Sequence, residues 1–320
     1  MTPAQLRAFA ATVRLGSVKA AAADLGVTEA AVSLHIAHLR KELGDKLFTR
    51  TAHGLAFTPG GLRLASRAAE MLGLQDQTVL EVQMAGSGRR LLRVAASSLF
   101  AEYAAPGLIE LFAGRAHDLD VELSVHNPQR FPALLTERAV DVALGPRPAT
   151  VDDSMSCTHF LNYQMIAVVG AGHPLAARQG AVGVAELREQ AWLLGPSAVG
   201  RAGIVPSVLR RLAVPEHHQR IFQSHAAAVD EAKHGKGVVL AVTFAVTKDL
   251  AGGDLCQLSG PHLPARGSWN LLALGDRESP PVAAELRRFV TTPRATQAML
   301  RGTGVTAGRF RPAIHVTLWS

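Results

Sequence analysis

The hydrophobic periodicity of this chain changes once, at Gly86, Ser87 and Gly88, and that change sets its architecture. Before it, apolar residues recur at helical spacing apart from one short two-stranded candidate. After it, short apolar strand runs alternate with helical stretches as far as residue 291. The expectation is a helical head followed by an α/β body with a largely parallel sheet.

In the head, Leu6, Phe9, Ala10 and Val13 share one helical face, with Thr2 as N-cap and Pro3 in the first turn. Ser17 caps a second helix that runs to Leu25 and stops at Gly26. Thr28 caps a third, whose inner face is Ala31, Val32, Ile36, Leu39 and Leu43. The glycine-bearing turn between the second and third makes a helix-turn-helix pattern. Leu47, Phe48, Leu55 and Phe57 around His53 and Gly54 predict a two-stranded wing. Thr58 then caps a long helix with Pro59 at its first position, where a missing N–H does no harm. Its Leu62, Ala65, Ala69, Leu72 and Val79 form a heptad-like seam weakened by Gly73 and Asp76, which suits a partner helix and packing on its own domain equally.

Composition removes several function classes. The 320 residues are 48% hydrophobic and 18% charged, which gives enough apolar material for more than one core and argues against global disorder. The longest apolar run, Val238 to Val246, is far short of the ~18 residues of a membrane span. Arg7 and Arg14 interrupt what would have to be a secretion-signal core, and Cys157 and Cys256 cannot build a disulfide framework, so a cytoplasmic location is expected. The net charge is +7, of which +4 falls in the first 90 residues, the sign needed to approach polyphosphate.

In the body, strands are expected at 91–96, 121–125, 141–145, 165–170, 192–195, 237–242 and 269–274. Helices are expected at 101–115, 129–138, 202–213, 226–234 and 281–291. On the third helix of the head the outward positions are Glu29, Ala30, Ser33, Leu34, Ala37, His38 and Lys41. A helix led by small residues can enter the ~12 Å major groove. There Ser33 would hydrogen-bond a base or phosphate, and Ala30 or Leu34 would meet a thymine methyl.

The segment LRAFAATVRLGSVKAAAADLGVTEAAVSLHIAHLRKELGDKLFTRTAHGLAFTPGG closely resembles the N-terminal domain of LysR-type transcriptional regulators. The features that carry the resemblance are GS at 16–17, T-x-x-AVS at 28–33, L-x-x-ELG at 39–44, LF-x-R at 47–50 and T-x-G-G at 58–61. RVAAS after the hinge, DVALG, GHPLA at 172–176 and HGKGVVLAV at 234–242 extend it to about residue 292. It implies a winged helix-turn-helix over 1–58 and a dimerising linker helix over 59–88. It further implies an effector domain like a periplasmic binding protein, with subdomain I at 89–162 and 266–293 and subdomain II at 163–265. Residues 294–320 form a C-terminal extension, expected to be ordered through a helical turn in ATQAML and a strand in AIHVTLW. The partners implied are double-stranded promoter DNA, a small-molecule effector, further copies of the chain as a dimer of dimers, and RNA polymerase.

The departures from the family are informative. Where the family often carries Gln, then Arg or Gln, then Arg or Lys, this chain has Glu29, Leu34 and Ala37, and the wing has His53 where Arg is frequent. Ser33, Lys41, Lys46 and Arg50 remain as candidates to position phosphates, with Thr28 a further DNA-binding candidate, so binding is expected to rest on backbone contacts, DNA shape and dimer spacing.

For the effector, Ser97 and Ser98 end the first strand of the body, and GPSAVGR brings Ser197 and Arg201 to a helix start. Asn127 and Arg147 follow two further strands. These residues suit an anionic metabolite at the carboxyl ends of the strands, although Ser97 and Ser98 would serve equally as helix caps.

Other classes fare worse. GPSAVG lacks the spacing of a nucleophile elbow, GTGVTAG at 302–308 misses GxGxxG, and no Cys or carboxylate completes a metal set around His35, His38, His217 and His218. No enzyme activity and no cofactor are expected. A redox-sensing regulator using Cys157 and Cys256 is the alternative within the family, but neither thiol has a local activating cation. A plain solute-binding protein would need neither the first 90 residues nor a cytoplasmic address.

Overall fold

The computed structural model describes residues 1–51, 54–178, 180–199, 203–275, 277–301 and 314–317. The chain divides into two compact units, one of Met1–Gly88 with Thr136–Ala139 and the other of Arg89–Leu135 with Val140–Ser320.

The first unit opens with α1 (Pro3–Leu15), α2 (Val18–Leu25) and α3 (Glu29–Leu43). Each start is capped by the expected side chain: Thr2 accepts from Gln5 N, Ser17 from Ala20 N and Thr28 from Ala31 N. The three helices bury Phe9, Ala21, Val32, Ile36 and Leu39 in one core. Leu43, expected on the inner face of α3, is exposed instead, because α3 ends there and Gly44 turns the chain away in a left-handed conformation.

The wing is β1 (Phe48–Thr51) paired antiparallel with β2 (Gly54–Phe57), and α4 (Pro59–Ser87) follows. Close approach explains the glycines of the T-x-G-G motif. A Cβ at Gly61 would lie 1.9 Å from the carbonyl oxygen of Leu47, and one at Gly60 would lie 2.2 Å from Asp45 Oδ2. Asp45 accepts from Thr58 Oγ1 at 2.7 Å and from Leu47 N at 2.6 Å, which holds its carboxyl below the usual range and fixes the wing to the start of α4. Gly86 and Ser87 do not interrupt the helix as expected; α4 runs through both, and only Gly88, at φ +65°, ends it.

The second unit contains β3 (Arg90–Ala96), α5 (Ser98–Tyr103), α6 (Ala105–Ala113), β4 (Leu119–Val125), α7 (Phe131–Thr136) and β5 (Val142–Gly145). Next come β6 (Met155–Gly170), α8 (Val184–Arg188), β7 (Trp192–Leu194), α9 (Ile204–Arg211), β8 (Gln219–Ile221), α10 (His225–Lys233) and β9 (Val238–Val242). The last elements are α11 (Thr247–Gly252), β10 (Leu255–Leu258), β11 (Ala265–Leu274), α12 (Pro281–Val290), α13 (Pro293–Arg301) and β12 (Ile314–Thr317).

The strand order is β12-β4-β3-β5-β11-β6-β9-β7-β8, with β10 also on β6. The sheet is mixed rather than largely parallel. Parallel groups β12-β4-β3-β5 and β9-β7-β8 form two subdomains joined by the antiparallel pair β6 and β11. The pair shifts register between Trp269 and Asn270, the irregularity of a β-bulge. Around it Trp269 stacks on Tyr163 at 4.4 Å and meets Phe100 edge-on at 5.0 Å, an apolar floor between the subdomains. The single helix expected over 101–115 is two, α5 and α6, because Pro106 cannot donate within a continuous helix.

The C-terminal stretch contributes α13, whose Ala295 and Met299 are buried, and β12, paired in parallel with β4. Gly107 permits the approach of α13, since a Cβ there would lie 2.1 Å from the oxygen of Ala298.

Candidate DNA and effector sites

α3 is held by its buried Val32, Ile36 and Leu39, and this fixes which side chains it presents outward. Glu29, Ala30, Ser33, Leu34, Ala37 and Lys41 are exposed, with Leu34 at 56%. Thr28 is exposed as well, although its hydroxyl is engaged as the N-cap. Arg50 lies on β1 opposite Leu55, while His53 lies outside the described residues.

Sequence reasoning gave no role to Arg40. Its guanidinium donates to the carbonyl of Phe48 at 2.7 Å and sits 4.7 Å from the centre of the Phe48 ring. It therefore ties α3 to the wing by a hydrogen bond and a cation–π contact. An arginine on an amphipathic helix carries no sign in sequence that it is spent internally.

In the second unit, Ser97 and Ser98 follow β3 as expected, but they act differently. Ser97 is 5% exposed, makes no side-chain cap bond, and its Oγ has no hydrogen-bond partner among the described residues. Ser98 Oγ lies 3.4 Å from Nε2 of His225. The turn Pro196–Ala198 packs on α5, and there Ser197 Oγ is also buried without a partner among the described residues. Asn127 caps its own turn by accepting from Gln129 N at 3.0 Å. Arg201 lies outside the described residues.

Two residues the sequence did not single out hold this region together. Glu102 of α5 accepts the N–H of His225 at 2.8 Å and of Ala226 at 2.6 Å, so its carboxylate sits on the N-terminus of α10 in the opposite subdomain. Burial raises the Glu102 pKa, opposed by those two hydrogen bonds. His225 is buried, and desolvation pushes its pKa down to about 4. Its ring rests against Gly195, where a Cβ would lie 2.2 Å from Nδ1.

A separate concavity of about 540 Å³ opens where the loop after β5, one side of α9 and the start of β11 meet. Arg147, the remaining effector candidate, lines it together with Arg211, Arg266, Tyr163, Ser207 and Ser268.

Residues 3–62 match the bacterial regulatory helix-turn-helix protein of the lysR family, and residues 85–293 match the LysR substrate binding domain. The chain belongs to the LysR family. This LysR-family protein is 58% identical over 323 residues, covering 100% of both chains, to an uncharacterized HTH-type transcriptional regulator of Mycobacterium tuberculosis. It is 27% identical to the HTH-type transcriptional regulator CbbR of Rhizobium meliloti, covering 89% of this chain and 91% of that one. Among solved structures, ArgP from Mycobacterium tuberculosis aligns with a TM-score of 0.58 at 19% identity, covering 94% of this chain and 97% of that one. The LysR-type regulator of this chain is thus a DNA-binding transcriptional regulator with an effector-binding domain, not an enzyme. No helix among the described residues is long and apolar enough to cross a membrane.

The two cysteines lie far apart. Cys256 on β10 is opposite Val169, whereas Cys157 lies near the other end of β6. Their separation along that strand is about 40 Å at ~3.3 Å per residue, against the ~7 Å limit between bridged Cα atoms. Burial also pushes the Cys157 thiol pKa up, away from the reactive thiolate.

Proposed function

We propose that this regulator binds double-stranded promoter DNA sequence-specifically through α3 and the wing, under control of a small anionic effector held between its subdomains. The observation that carries the DNA reading is the exposed row Glu29, Ala30, Ser33, Leu34, Ala37 and Lys41 on a helix whose opposite face is core. Thr28, Arg50 and His53 complete the proposed DNA surface, with Lys41 and Arg50 as phosphate contacts.

The effector reading is supported by Ser97 and Ser197, two sequestered hydroxyls without partners on segments that pack together. Ser98, Asn127, Arg147 and Arg201 are proposed as further contacts. The functional division follows: DNA head 1–58, linker 59–88, subdomain I at 89–162 and 266–293, subdomain II at 163–265, and the extension 294–320. Exposed Leu62, Leu74, Val79 and Val82 on α4 support a dimer built on this helix, assembling into a dimer of dimers in the cytoplasm. RNA polymerase is the partner through which promoter binding would act. The wide spacing of Cys157 and Cys256 favours a small-molecule effector over an intramolecular thiol switch.

The test is footprinting of the purified protein on the DNA flanking its own gene. Protection of two spaced half-sites, weakened by Ser33→Ala and Lys41→Ala, is the expected result. Uniform, sequence-independent protection would refute the specific reading.

A further inference from the structure

The concavity beside β11 has an unbalanced charge. Arg147 comes from the loop after β5, Arg211 from α9 and Arg266 from β11, so three separate segments each contribute an arginine to the lining of one space of about 540 Å³. Among the described residues no Asp or Glu lines it and none of these three arginines forms an ion pair. Exposed arginines are ordinarily scattered among carboxylates. Three converging on one concavity repel one another until an anion enters, and low-dielectric walls strengthen the field they share. Tyr163, Ser207 and Ser268 add neutral hydroxyls at the same surface.

We infer that this pocket binds a small polyanion carrying three or more negative charges, held by Arg147, Arg211 and Arg266. A monocarboxylate would satisfy one guanidinium and leave two uncompensated, whereas phosphoryl groups or a tricarboxylate offer the paired oxygens that the arginine fork matches. Because Arg147 lies on the subdomain I side and Arg211 on the subdomain II side, such a ligand would bridge the two. The inference rests on the reading that this domain takes an anionic effector, and it names the class of that effector. It also shifts the charged part of the site away from Ser97 and Ser197, which do not line the pocket.

The test is thermal shift of the full-length protein with pyrophosphate, citrate or acetate at constant ionic strength, repeated on Arg211→Gln, Arg266→Gln and, as a control, Lys248→Gln, which removes an exposed cation of α11 outside the pocket. Pyrophosphate and citrate represent the phosphoryl and tricarboxylate sources, and a saturable rise in Tm with either, absent with acetate, is expected. Each arginine variant should weaken apparent affinity about ten-fold or more while its ligand-free Tm does not fall, and Lys248→Gln should leave affinity within about two-fold. No saturable shift with either polyanion, or equal shifts in wild type and both arginine variants, overturns the proposal. DNA binding measured in parallel separates it from the regulatory reading. A shift that leaves DNA binding unaltered supports the pocket and counts against its regulatory use. An effector response that survives both arginine variants overturns the pocket and leaves regulation standing.

Discussion

The carboxylate of Glu102 accepts the backbone N–H of His225 at 2.8 Å, so a side chain from one subdomain caps a helix of the other. The same carboxylate takes the N–H of Ala226, and the His225 ring returns toward Ser98 of the helix that carries Glu102. The contact between the subdomains here is therefore made by an anion that the protein supplies itself.

Glu102→Ala should lower stability by about 1–3 kcal/mol, since it leaves the first-turn N–H groups of His225 and Ala226 without their acceptor. Urea unfolding of the variant against wild type measures this. A neutral result would mean that the clasp adds nothing to the folded state.

The depressed pKa of His225 gives a pH dependence of known sign. The folded state keeps the ring neutral down to about pH 4, while the unfolded chain protonates it near 6.5. Stability from this group is present above 6.5 and is lost as pH falls toward 4, by about 3 kcal/mol at ~1.4 kcal/mol per unit. Unfolding titrations of wild type and His225→Asn should differ in slope across that window, with the variant flatter.

On α3, Glu29→Gln should tighten DNA binding by removing an exposed carboxylate from the face proposed to meet phosphate. Lys41→Ala should weaken it and reduce the slope of log K against log salt by about 1. Fluorescence anisotropy over a salt series reads both effects.

Two glycines should respond oppositely to alanine. Gly61→Ala drives a Cβ to 1.9 Å from Leu47 O, and the backbone shift should cost about 1–3 kcal/mol. Gly86→Ala meets nothing within 4 Å inside α4 and should stabilise that helix by about 0.5–1 kcal/mol. Thermal unfolding of both variants tests the pair.

Removing residues 293–320 should destabilise the second unit by about 3 kcal/mol, because buried Met299 and Ala295 leave the core and α6 loses its cover. Circular dichroism melting of the truncated protein checks this, and an unchanged Tm would show that α13 is dispensable.

The legible parts of the chain were those written in local chemistry. Thr2, Ser17, Thr28 and Thr58 each cap the helix that follows, because an N-cap is a contact between residues three apart. The outward face of α3 follows from the spacing of Val32, Ile36 and Leu39, so its DNA-facing candidates could be named from sequence. The short strands β8 and β10 carried no comparable signal, since three- or four-residue runs acquire their identity from the neighbours they pair with.

Sequence by itself therefore determined the helix-turn-helix head, the wing, the long helix α4 and the alternation of the body. Tertiary structure alone decided that Glu102 and His225, 123 positions apart, would meet, and that Arg147, Arg211 and Arg266 would converge on one concavity. Caps and amphipathic faces are set within a few residues along the chain. The meeting of distant charges depends on how β6 and β11 join the subdomains, and no local pattern encodes that.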